Sequence, residues 1–138
     1  MAASELAAKT SQLGPCAPRF GNSTTAPATI LCPGHLEAVS DATRRVWIAP
    51  FAGTCRAMYA HTSAAHGVGA ETVSLTVALA GAPTTMVTAF TSALTDVSDT
   101  AHTFTFAAGQ AISIDVANAG GVAAVLLNVS VTLACTLG

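Results

Sequence analysis

The sequence predicts an all-β fold, an antiparallel sandwich built from about seven or eight short strands. Two observations carry this expectation. From Arg44 onward apolar residues alternate with small polar ones at a period of two, which places one face of each strand in a core and the other outside. Turn signals also recur at intervals of about 8–12 residues, as they do in sandwiches and barrels, and no convincing helical pattern follows Arg44.

The first expected strand is RRVWIAPF (44–51), ended by Pro50, and TCRAMYAHTS (54–63) follows Gly53. In ETVSLTVALAG (71–81), Val73, Leu75, Val77 and Leu79 share one face, while Thr72, Ser74, Thr76 and Ala78 share the other. TTMVTAFTSAL (84–94) comes next, and TDVSDT (95–100) reads as a turn because Asp and Ser bond their own backbone. HTFTFA (102–107) and AISIDVANA (111–119) are expected to form a hairpin around Ala108, Gly109 and Gln110. The closing strand VAAVLLNVSVTLAC (122–135) loses its alternation near Leu126 and Leu127, which suggests a split or bulge there.

Before this region the pattern is different. Residues 1–42 hold Pro15, Pro18, Pro27 and Pro33, four of the six prolines, with Gly14, Gly21 and Gly34 between them. Proline removes backbone donors and glycine offers no side chain to pack, so the segment reads as an extended arm. SELAAK, near the start, could open a short helix after a Ser cap, one too short to be stable alone. The expected organisation is therefore an arm over 1–42 and a β domain over 43–138.

With 138 residues the chain suits one domain with one core. Only 9% of it is charged, against about 25% in ordinary soluble domains. A net charge of −2 and a lone Arg44–Arg45 pair give no patch for nucleic acid. No apolar run approaches the roughly 18 residues of a membrane span, and MAASELAAKTSQLG lacks the basic and apolar regions of a secretory leader. The expectation is a soluble protein made in a cytoplasm. So little charge on a surface makes sense where neighbours cover much of it, which suggests a subunit of an assembly.

Candidate chemistry is sparse. Cys16, Cys32, Cys55 and Cys135 show no C-x₂-C pair and no zinc spacing. Reduced thiols are the default, and a Cys16–Cys32 bridge closing the arm is one of the open pairings. His61 and His66 flank a loop without a neighbouring carboxylate or thiol, and read as solvated loop residues. Asp96 and Asp99 could serve as paired carboxylates for glycoside hydrolysis or calcium, but turn chemistry accounts for them more simply. Glu5, Glu37 and Glu71 are scattered, unlike the clustered His and Glu of a small glycosidase or cupin-like oxidase. There is no G-x-S-x-G and no phosphate loop. NST (22–24) and NVS (128–130) match the glycosylation sequon, which matters only in a secreted eukaryotic protein. No enzyme, cofactor or metal is expected.

The stretch from AGTCRAMYAHTS (52–63) through ETVSLTVALAGAPTTMVTAFTSAL, VSDTAHTFTFAAGQAISIDVANAGG and LLNVSVTL resembles a pattern found in small jelly-roll domains of bacteriophage virion proteins. Gly53–Thr54, Ala80–Gly81, Asp99–Thr100, Ala108–Gly109–Gln110 and Asn118 to Gly121 stand at the matching points. Gln110 replaces the more usual Asp, and Ala-Gly-Ala-Pro replaces the usual Asn-Gly turn. Such domains occur in tail fibres, head fibres and capsid cementing (decoration) proteins, including those of short-tailed phages such as the kind that infects Bordetella. A single short jelly roll with an arm looks most like a cementing protein.

The resemblance implies a structural virion protein on the capsid's outer surface, assembled in the host cytoplasm. Its partners would be the major capsid protein and further copies of itself, as a dimer or trimer, with no direct contact to nucleic acid or membrane. The residues expected to make contacts are Leu13, Phe20, Ile30 and Leu31 on the arm, with Trp47, Phe51 and Tyr59 on the domain. The alternative is a receptor- or glycan-binding head of a fibre or spike, which would present exposed aromatics or a metal-supported loop around Trp47, Tyr59 or His61.

Overall fold

The computed structural model describes residues 14–24, 31–33 and 46–138. It is an all-β sandwich of two antiparallel sheets. The strands are β1 (Gly14–Cys16), β2 (Arg19–Thr24), β3 (Cys32–Pro33), β4 (Trp47–Ile48), β5 (Gly53–His61), β6 (Thr72–Leu79), β7 (Ala82–Phe90), β8 (Asp96–Asp99), β9 (Phe104–Phe106), β10 (Ala111–Ala119) and β11 (Leu127–Leu137). The larger sheet runs β3-β2-β11-β5-β8, with β1 also on β11 and β9 also on β5. The smaller sheet runs β4-β10-β6-β7.

The period-two pattern does what it predicts. Val73, Leu75 and Val77 on β6, Ile112, Ile114 and Val116 on β10, and Val129, Val131 and Leu133 on β11 all point into the core and are buried. Met58, Met86 and Phe90 fill the space between the sheets with no exposure. Each such side chain contributes roughly 1.5–3 kcal/mol relative to leaving it in water. Trp47 packs its edge on Phe106, ring centroids 6.1 Å apart and planes at 83°, and seals one margin of the sandwich.

Three expectations need correction. Within the segment read as an arm, β1 and β2 pair with β11, and β3 pairs with β2. Phe20 and Leu31 are core residues at 2% and 0% exposure. Pro18 falls between β1 and β2, Pro33 ends β3 at the sheet's edge, and Pro15 lies within β1, which pairs with β11. The helix suggested near the N-terminus lies outside the described residues.

TDVSDT is not a turn, since Asp96–Asp99 forms β8 on the edge of β5. Residues 101–120 are not a hairpin either: β9 joins β5 in the larger sheet and β10 joins β6 in the smaller. The Ala107–Gln110 turn, with Gly109 at φ 84°, therefore carries the chain from one sheet to the other. Local alternation is identical in the two arrangements, so it could not distinguish them. The break expected near Leu126 and Leu127 is present, since β11 begins only at Leu127 and Asn128 takes φ 48°; a register shift also falls at Ala134/Cys135 against β5. Arg56 is the residue left over on β5, in the gap between β8 and β9.

Candidate functional site

The outer face of the larger sheet carries the exposed ionised side chains among the described residues: Arg19, Arg56 and Asp96. Strand register arranges this face in rows. One row runs Arg19, Thr132, Tyr59, Ser98 across β2, β11, β5 and β8. The next runs Gly21, Ser130, His61, Asp96, and beyond the bulge Pro15, Thr136, Thr54 and Thr105 form another. Apart from Tyr59, the residues near the middle are short, so the phenol stands above a low floor with 51% of its surface exposed.

An open depression of about 210 Å³ beside the ring is lined by Tyr59, Ala60, Asp96, Val97 and Ser98. That is below the roughly 300 Å³ where small-molecule pockets begin, and suits one inserted side chain. The depression is bordered by a hydrogen-bonded pair. His61 Nδ1 lies 2.8 Å from Asp96 Oδ1, and the Thr95 hydroxyl donates to Asp96 Oδ2 at 3.1 Å. The His61 hydrogen bond above all, helped by Thr95, holds the Asp96 carboxyl below the usual carboxylate range.

Asp96 and Asp99 stand three apart on a strand and so face opposite ways. Asp96 is on the surface and Asp99 is buried, so they do not flank a common substrate or ion. His66 is also held away from His61: its Nδ1 accepts the Val68 N–H at 3.2 Å, and its Nε2 lies 3.2 Å from the Phe90 carbonyl. No group of three or more His, Cys, Asp or Glu with metal-holding geometry occurs among the described residues. Of the two sequons, Asn22 is fully buried.

The residues expected to make contacts are scattered. Phe20 and Leu31 lie inside the core, because β2's inward positions include Phe20 and because the Leu31 N–H bonds the Ile114 carbonyl at 3.0 Å. They present no surface. Trp47 is half-buried against Phe106. Phe51 is exposed in the loop before β5, and Tyr59 is exposed about 20 Å further along that strand. Leu13 and Ile30 lie outside the described residues. Sequence reasoning missed Arg19, Arg56 and the His61–Asp96 pair, because only the pairing of β2, β5, β8 and β11 brings them around Tyr59.

No family model and no curated protein matches the chain. Among solved structures, it is similar to the PRD1 vertex protein P5 at 11% identity and a TM-score of 0.48, over 91% of this chain and 96% of that one. It is also similar to a Podospora anserina GH26-CBM35 β-(1,4)-mannanase at 15% identity and a TM-score of 0.45. That second likeness covers 88% of this chain and 27% of the mannanase.

Proposed function

We propose that the chain is a bacteriophage structural protein that decorates and cements the capsid, contacting the shell through the outer face of the larger sheet. The observation that carries this reading is Tyr59, half exposed at the centre of a face of short side chains flanked by Arg19 and Arg56. Tyrosine and arginine are the residue types that dominate protein–protein contacts, since they bring large area and directed hydrogen bonds. Elsewhere the described residues expose no Asp, Glu, Lys or Arg, which fits a subunit covered by neighbours. The role is mechanical: many equivalent contacts over a lattice add resistance to a shell under internal pressure, and self-association strengthens each through effective concentration. The major capsid protein is the expected partner, in an assembled virion.

The test mixes purified protein with undecorated capsids, sediments the shells, and records bound copies and heat resistance. Saturable binding at a copy number set by the shell's symmetry, with tougher shells, is the expected result. Tyr59→Ala should weaken binding by about 30-fold, the equivalent of a 2 kcal/mol contact. Val87→Ala, exposed on the other sheet, should leave binding unchanged. Failure of the unaltered protein to bind any shell would favour a receptor- or glycan-binding head, with Tyr59 as its stacking platform.

A further inference from the structure

Strand register brings three of the four cysteines into one row. Cys16 on β1 lies opposite Cys135 on β11, which lies opposite Cys55 on β5. All three side chains pack on the core: Cys55 and Cys135 are buried, and Cys16 is partly open to solvent. Residues directly opposite in an antiparallel pair have Cα atoms about 4.5–5.5 Å apart, inside the 4.4–6.8 Å that a disulfide spans. Cys16 and Cys55 sit on either side of β11, about 10 Å apart, and cannot reach each other. Cys32 pairs through Gly21 with the level of Ser130, five residues from Cys135 and about 17 Å along the strand. That register rules out the Cys16–Cys32 bridge left open by the sequence.

We propose that Cys135 is the shared member of a thiol–disulfide exchange site, closing one disulfide with Cys16 or with Cys55 when the chain meets a small-molecule disulfide such as oxidised glutathione. Cys16 is the entry point. Its thiolate attacks one sulfur of the oxidant, the oxidant's S–S bond breaks, and half of it leaves and takes up a proton as a free thiol. The Cys135 sulfur then loses its proton and attacks the Cys16 sulfur, expelling the second half as another thiol. Two cysteine thiols are oxidised and one small disulfide is reduced to two thiols.

Cys55 can then attack the Cys135 sulfur and release Cys16, moving the bond one strand inward with no net redox change. The two buried thiols are neighbours across the pair, and their interaction lowers the Cys55 pKa and raises that of Cys135. Cys16–Cys135 closure would tie β1 to the sandwich across nearly the whole chain and raise Tm on the order of 10 °C.

The chain's five Lys and Arg residues place each cysteine in its own tryptic peptide: Cys16 in 10–19, Cys32 in 20–44, Cys55 in 46–56 and Cys135 in 57–138. The native protein is incubated with oxidised glutathione, its remaining thiols are blocked, and the digest is mapped by mass spectrometry. One disulfide is expected, joining 57–138 to 10–19 or to 46–56. Cys135→Ala should abolish it. Cys16→Ser, a mild change at a partly exposed site, should slow its formation at least about tenfold, because access controls the first step. A 10–19 to 46–56 link, any link to 20–44, no disulfide at all, or an undiminished rate in Cys16→Ser would each overturn the proposal.

Discussion

The carboxylate of Asp99, on the larger sheet, accepts the backbone N–H of Val87, on the edge strand of the smaller sheet, at 3.0 Å. The same oxygen meets His102 Nδ1 at 2.8 Å, while the other accepts the N–H groups of Ala101 and His102 at 3.0 and 3.2 Å. This polar stitch joins the two layers at a margin where, among the described residues, β7 is the last strand of its sheet. Asp99→Ala strands the Val87 N–H and releases the 99–102 turn, and should cost about 3 kcal/mol in urea unfolding. Thr85→Ala, exposed on the same strand, should change stability by less than about 0.5 kcal/mol.

The pH dependence of stability follows from the same carboxylate and from Glu71. Burial works against ionising Asp99, but hydrogen bonds from Val87, His102 and Ala101 together outweigh it and hold its pKa below the usual value. The Ala124 N–H above all, with Ala123 and Asn118, does the same for Glu71 against the effect of burial. In the acid range the unfolded chain therefore binds more protons than the folded one. This stabilisation is fully present above the unfolded carboxyl pKa of about 4 and is lost as pH falls through the lower folded values. Asp115 has the opposite sign, since burial raises its pKa and its ionised form costs stability at neutral pH. Urea unfolding from about pH 2 to 7 should show a steep acid loss, shallower in Asp99→Asn, with Asp115→Asn more stable than the parent at neutral pH.

Most of the strands were legible because large apolar residues recur at every second position along β6, β10 and most of β11 and are buried there. What the sequence hid was pairing between distant segments. Phe20 sits among prolines and looks like an arm residue until β11 supplies its partner, Val131. The strands on either side of Gly109 look like a hairpin because a turn between alternating strands reads the same whether it stays in one sheet or crosses to the other. Tyr59 could be picked out as an aromatic on a strand. Arg19 lies 40 residues before it in sequence, and only the order β2-β11-β5 sets them in one row.

The loop over residues 120–126 is held down by Glu71, whose carboxylate accepts the N–H groups of Ala123 and Ala124 at 2.9 and 2.7 Å. The approach depends on Gly120, which has φ 86° and whose missing Cβ would collide with the Ala70 carbonyl oxygen. Gly120→Ala combines a strained backbone with a clash against main chain, and should destabilise by about 3 kcal/mol. Gly109→Ala is the matched control: φ is 84° but the space around it is open, so only the conformational cost of about 1 kcal/mol remains. Chemical denaturation of the two variants separates the clash from the strain. Equal losses would mean that the Glu71 loop yields instead of resisting.

Between β6 and β7 the chain reverses through Ala80 and Gly81 alone, with Leu79 opposite Ala82. Both turn residues have positive φ, 51° and 83°, the pattern of a type I′ turn, whose twist matches that of the flanking strands. Gly81 adopts this freely, but Ala80 holds its Cβ against the following carbonyl at a cost of about 1–2 kcal/mol. Asparagine visits the same region readily because its short amide bonds the local backbone. Ala80→Asn should therefore stabilise the protein by about 1 kcal/mol. Ala80→Val, β-branched at a left-handed position, should lose more than the parent already does. If the turn is as tight as its dihedrals indicate, the order of unfolding midpoints is Asn, then Ala, then Val. Any other order would place the strain elsewhere in the hairpin.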